Sequence, residues 1–89
     1  MFDRSELVQR AMAHRTLSGL APGQEAVVQQ IEGRDDFRDR LAHLGFLPGT
    51  RVRMVRRAPL GGPVEVRIRG YHLALRRRDA RHVVIDDAS

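Results

Sequence analysis

The chain has 89 residues, 42% of them hydrophobic, which bounds it to one small domain with an aliphatic core. It has no cysteine, so disulfides, thiolate metal sites and cysteine nucleophiles are all excluded. The formal charge is +5 and all sixteen basic residues are arginine, which excludes a Walker lysine and Schiff-base chemistry.

The N-terminal stretch MFDRSELVQRAMAHR has no apolar run or small-residue cleavage site of a secretory signal. No apolar stretch approaches the ~18 residues that span a bilayer, so a cytoplasmic, soluble protein is expected. Asp3 and Glu6 have the spacing of a capping box, and Leu7, Val8, Ala11 and Met12 form an apolar stripe. The spacing predicts a helix over residues 3–14, an extension (1–15) ahead of a domain over 16–89. Pro22-Gly23 in TLSGLAPG marks a turn, and EAVVQQIEG reads as a first strand ending at Gly33.

DDFRDRLAHLGF reads as a helix capped by Asp35 or Asp36. Phe37, Leu41 and Leu44 fall at i, i+4 and i+7, one buried face, while Asp36 precedes Arg40 in the favourable order for an ion pair. Gly45 suits the left-handed position that closes a helix. Phe46-Leu47-Pro48 either staples that helix to the core or offers Leu47 to a partner.

From Arg51 the period drops to two: Val52 and Met54, then Val64, Val66 and Ile68, then Tyr71, Leu73 and Leu75. Tyr71 is expected in the core with its hydroxyl at the rim. Residues 77–80 read as a turn before a last strand, HVVID. Five short strands in so short a chain predict a mainly β, small closed barrel with one inserted helix, because closure removes vulnerable edges.

APLGGP, residues 58–63, sets a leucine among prolines and glycines, in a segment whose composition says loop. Leu60 either folds back onto the core or stands out as a rigid apolar knob for a partner. Arg67, Arg69 and Arg76 to Arg78 project a positive face that attracts an acidic or phosphate surface, diluted by Glu65 and Asp79. A genome favouring arginine codons gives the same composition, so charge alone names no nucleic-acid partner.

His14, His43, His72 and His82 contain no i, i+4 ligand pair and no H-E-x-x-H motif, and no metal or other cofactor is expected. His72 and His82 approach each other across strands only if the fold brings them together, which nothing in the sequence fixes. No Gly-rich phosphate loop or nucleophile elbow is present, and Asp86-Asp87 would point to opposite faces of a strand, so an enzyme is not expected.

The segment RLAHLGFLPGTRVRMVRRAPLGGPVEVRIRGYHLALRRRDARHVVID resembles the FeoA family, small cytosolic partners of the bacterial ferrous iron transporter FeoB. The resemblance rests on Arg40-Leu41, Leu44-Gly45, Pro48-Gly49, Pro59-Leu60-Gly61-Gly62-Pro63, Gly70-Tyr71, Ala74-Leu75-Arg76 and Ala80, and covers roughly residues 16–86. It implies an SH3-like barrel and a binding role on the transporter's cytoplasmic, GTP-binding region, reaching the membrane only through it. On that reading Pro59, Leu60, Gly61, Pro63 and Leu47 make contact, and Arg67 and Arg69 steer approach. The 3–14 helix and His43 depart from the family pattern. Two other readings compete: a free-standing barrel that binds nucleic acid, disfavoured by the scarcity of aromatics, and a homo-oligomer working by self-association.

Overall fold

The computed structural model describes residues 15–87, and the helix expected over 3–14 lies outside them. A short 3-10 turn at Leu17–Gly19 leads into β1 (Glu25–Ile31), helix α1 (Asp35–His43), β2 (Arg51–Arg57), β3 (Val64–Ile68) and β4 (Tyr71–Leu75). A one-turn helix α2 (Arg77–Ala80), where a turn is expected, and β5 (Val83–Asp87) complete it.

The strands form one antiparallel sheet in the order β4-β3-β2-β1-β5. Period-two alternation places Ala26 and Val28 of β1, Val52 and Met54 of β2, and Val64, Val66 and Ile68 of β3 in the core, with Phe46, Leu41, Val83 and Ile85. Each core Val or Leu contributes about 1.5–3 kcal/mol by leaving water. Register shifts at Val28/Gln30 and at Met54/Arg56 mark bulges that bend the sheet around this core.

The barrel is SH3-like, but the expected full closure is not made by a ladder. β4 and β5 are the two ends of the sheet, bridged by α2, whose Ala80 is buried. The outer edge of β5 is partly covered by Arg15 and Thr16: Thr16 bridges Val84, and the Ile85 N–H bonds the Arg15 carbonyl at 3.0 Å.

Leu17 is among the largest fully buried side chains, although no periodicity announces it. Its turn is held by Arg57, whose Nη1 donates to the carbonyls of Ser18 and of Leu20, the latter at 2.8 Å. That contact ties the entry segment to the end of β2.

Helix α1 departs from expectation in three places. Its N-cap is Arg34, without a side-chain cap, while Asp35 and Asp36 sit in the first turn, where their charge suits the helix dipole. Asp36 accepts from the Phe37 N–H at 2.9 Å, and Arg40 reaches Asp79 of α2 at 3.9 Å instead of Asp36. Leu41 is buried and Phe37 half-buried, but Leu44 is 37% exposed. The reason lies in how the helix ends. Gly45 takes φ 110°, and the N–H groups of Phe46 and Gly45 return to the carbonyls of Leu41 and Ala42 at 3.1 and 3.0 Å. This Schellman closure swings Phe46, rather than Leu44, under the helix onto the core.

Candidate functional site

The strands β2 and β3 carry the APLGGP loop between them and hold it rigidly. Arg57 pairs with Val64, and the Ala58 N–H then bonds the Pro63 carbonyl at 3.0 Å. The Gly62 N–H returns to the Pro59 carbonyl at 3.2 Å, closing a turn whose central residues are Leu60 at φ 59° and Gly61 at φ 75°. Two positive φ angles in succession are the pattern of a type I′ turn. Gly62 is required for a different reason: a Cβ there would stand 2.9 Å from Ala58 Cβ.

At this tip Leu60 is 103% exposed. Leucine is disfavoured at positive φ by about 1–2 kcal/mol, and leaving it in water forgoes a further 1.5–3 kcal/mol. Nothing among the described residues compensates either cost, so the core reading of Leu60 is set aside by its exposure. Among the described residues the other non-glycine at positive φ is Arg69, at φ 52°.

Arg69 and Gly70 form the two-residue turn between β3 and β4. The Arg69 side chain lies over the α1 terminus: a Cβ on Gly45 would meet Arg69 Cδ at 3.1 Å and Tyr71 Oη at 3.3 Å. Tyr71, expected in the core, is 43% exposed, and its hydroxyl donates to the Leu44 carbonyl. Burial fades along β4 from Leu75 through half-buried Leu73 to Tyr71, because the strand's start leaves the core beneath the turn. Leu47 is 41% exposed, so of Phe46-Leu47-Pro48 only Phe46 packs inside.

The sequence-derived contact residues therefore fall into two groups. Pro59, Leu60, Gly61 and Pro63 occupy one end of the β3 strand, and Arg69 the other, over Gly45, two residues before Leu47. Five residues of strand separate the ends, about 17 Å, with exposed Arg67 between them. At that distance, roughly two Debye lengths at physiological salt, Arg69 barely influences the field at Leu60.

The charge near Leu60 comes from α2 instead. A groove of about 630 Å³ runs between the loop and α2, lined by Gly62 and Pro63 on one side and by Arg76, Arg77, Arg78 and Arg81 on the other. The first three of these arginines are legible in the sequence as a run; Arg81 joins them only through the one-turn helix. The histidines are apart in role: His72 sits opposite Arg67 on β4, and the His82 ring meets the Phe37 ring edge-on at 5.3 Å. Among the described residues no group of three histidines or carboxylates is placed to hold a metal ion. No helix among them is long and apolar enough to cross a membrane.

Fold and surface together define a small SH3-like barrel that presents a rigid apolar tip beside a basic groove. The FeoA domain profile matches residues 15–87, and the chain belongs to the FeoA family. The Fe(2+) transport protein A/Fe(2+) transporter FeoB fusion protein of Porphyromonas gingivalis is 41% identical over 70 residues, which are 79% of this chain and 8% of that one. The chain thus spans under a tenth of that relative's length. Among solved structures, FeoA of Stenotrophomonas maltophilia in complex with zinc, described as a prokaryotic SH3 domain protein, is 39% identical with TM-score 0.70, covering 80% of this chain and 88% of that one. FeoA of Chlorobium tepidum is 34% identical with TM-score 0.76, covering 83% and 70%.

Proposed function

We propose that the chain is a non-enzymatic accessory protein of bacterial ferrous iron uptake that docks, in the cytoplasm, on the cytoplasmic part of a FeoB-type transporter. The observation that carries this reading is Leu60, entirely exposed at positive φ on a tip held by its own turn. A rigid apolar knob loses little entropy on entering a socket. A relative in which an FeoA segment and FeoB share one chain supports the pairing, since fusion holds the two at high effective concentration. Docking acts by bias: preferring one conformation of the GTP-binding domain or pore shifts that equilibrium by the difference in affinity. Leu60 anchors, Pro59, Gly61 and Pro63 hold it, and Leu47, Arg67 and Arg69 extend the footprint and the positive field toward the other end of the hairpin.

The test is a calorimetric titration of the chain into the transporter's cytoplasmic domain, with and without guanine nucleotide. Leu60→Asp should weaken binding at least tenfold, about 1.4 kcal/mol, while the melting temperature does not fall, since aspartate suits the positive φ of this turn position. An unaltered affinity in a folded variant would remove Leu60 from the interface.

A further inference from the structure

The outer edge of β4 and the arginine groove meet. With Arg69-Gly70 as a two-residue turn, Ile68 and Tyr71 form the hydrogen-bonded pair that closes the β3–β4 hairpin. Alternation then turns the backbone N–H and C=O of Leu73 and Leu75 toward β3 and those of His72 and Ala74 away from it. β4 ends the sheet, His72 and Ala74 are exposed, and among the described residues neither makes a backbone bond outside the strand ladder. Two donors and two acceptors in a row are what an added strand pairs with.

This edge runs C-terminally straight into Arg76 and the groove. Among the described residues, Arg76, Arg78 and Arg81 have no carboxylate partner, and the neighbouring Asp79 is engaged by Arg40. Arg77 donates through Nη2 to the Ala58 carbonyl at 3.2 Å, which leaves its buried Nε without a partner. Elsewhere on the surface Arg38, Arg51 and Arg56 are each matched by a carboxylate within 3.6 Å. Guanidinium groups left unpaired beside one another favour an incoming anion, which they hold bidentately.

We propose that this surface binds an extended acidic polypeptide segment, which adds a strand to the outer edge of β4 and lays its carboxylates among Arg76, Arg77, Arg78 and Arg81. A free oxyanion or a lipid headgroup would satisfy the arginines but has nothing to pair with His72 and Ala74. Only a polypeptide meets both features. In the antiparallel arrangement, the acidic residues lie at the segment's N-terminal end and apolar residues alternate beside half-buried Leu73.

The experiment follows backbone amides of the full chain by NMR during titration with the peptide acetyl-Asp-Glu-Glu-Val-Thr-Val-amide at about 50 mM salt. Saturable shifts are expected at His72, Ala74 and Gly62. Binding should weaken at least tenfold for the Asn-Gln-Gln counterpart, for Arg78→Glu with Arg81→Glu, and for Ala74→Pro, which removes an outward N–H without breaking a ladder bond. The arginine variants lie outside the core and keep the melting temperature, so they decide the matter if Ala74→Pro does not fold. Three results would overturn the inference: no saturation with the acidic peptide, equal binding of the uncharged one, or inorganic phosphate producing the same shifts and displacing it. A free peptide offers no socket to Leu60, so this outcome is independent of the transporter titration.

Discussion

Arg69 illustrates how single residues in this chain hold conformations that their type does not favour. The Arg69-Gly70 turn has both φ angles positive, a geometry in which asparagine or aspartate is preferred at the first position. Replacing Arg69 by Asn should therefore raise stability, by about 1 kcal/mol, read as a higher midpoint in chemical denaturation. If stability falls instead, the packing of the Arg69 side chain over Gly45 and Tyr71 outweighs the backbone cost. Leu60 carries the same backbone cost with no packing at all, and among the described residues these two are the non-glycines held at positive φ. In the sequence Leu60 is visible as an anomaly of composition, an apolar residue among turn formers. The positive φ of Arg69 is not visible, because arginine in a turn carries no local signal.

The elements themselves were legible wherever burial follows a fixed period. β2 and β3 alternate as Val52, Met54, Val64, Val66 and Ile68 indicate, since one face of each lies wholly against the core. The reading fails where an element leaves the core: at Tyr71, which keeps the inward parity but lies beyond the covered part of β4, and at Leu44, displaced by the Schellman return of Phe46. It is silent on Leu17, because a 3-10 turn offers too few residues for a period. That turn depends on a long-range tie, Arg57 to the carbonyls of Ser18 and Leu20. Hydrogen bonds from a charged donor contribute about 1.5–3 kcal/mol each, and the orphaned carbonyls here are partly buried. Arg57→Ala should destabilise the chain by about 2–3 kcal/mol in equilibrium denaturation. Arg57→Lys should recover only part of this, since an ammonium lacks the planar fork. An Arg57→Ala loss below about 0.5 kcal/mol would show that Leu17 holds its turn through burial alone.

At the scale of the molecule, the described residues form a core that accounts for itself. Leu17, Phe46, Leu41, Met54 and the strand valines pack together with no buried charged group among them. The sheet is not a closed ring, so its two edges matter separately: among the described residues β5 is partly covered by Arg15 and Thr16, while no strand pairs with the outer edge of β4. This asymmetry predicts where the chain tolerates shortening. A protein starting at Arg15 keeps the Thr16–Val84 bridge, the Arg15 carbonyl bond to Ile85 and the buried Leu17. It should melt as one cooperative transition within about 1 kcal/mol of the full chain. Starting at Ser18 removes all three, uncovers the β5 edge and empties the Leu17 site, which costs about 2–5 kcal/mol for the leucine alone. For a domain this small that is a large part of the total stability, and the shorter protein should melt broadly or associate through the bared edge. Calorimetry on both proteins, with light scattering to read association, separates the cases. If the chain beginning at Arg15 already loses its cooperative transition, residues 1–14 belong to the folding unit, and 16–89 does not describe the domain.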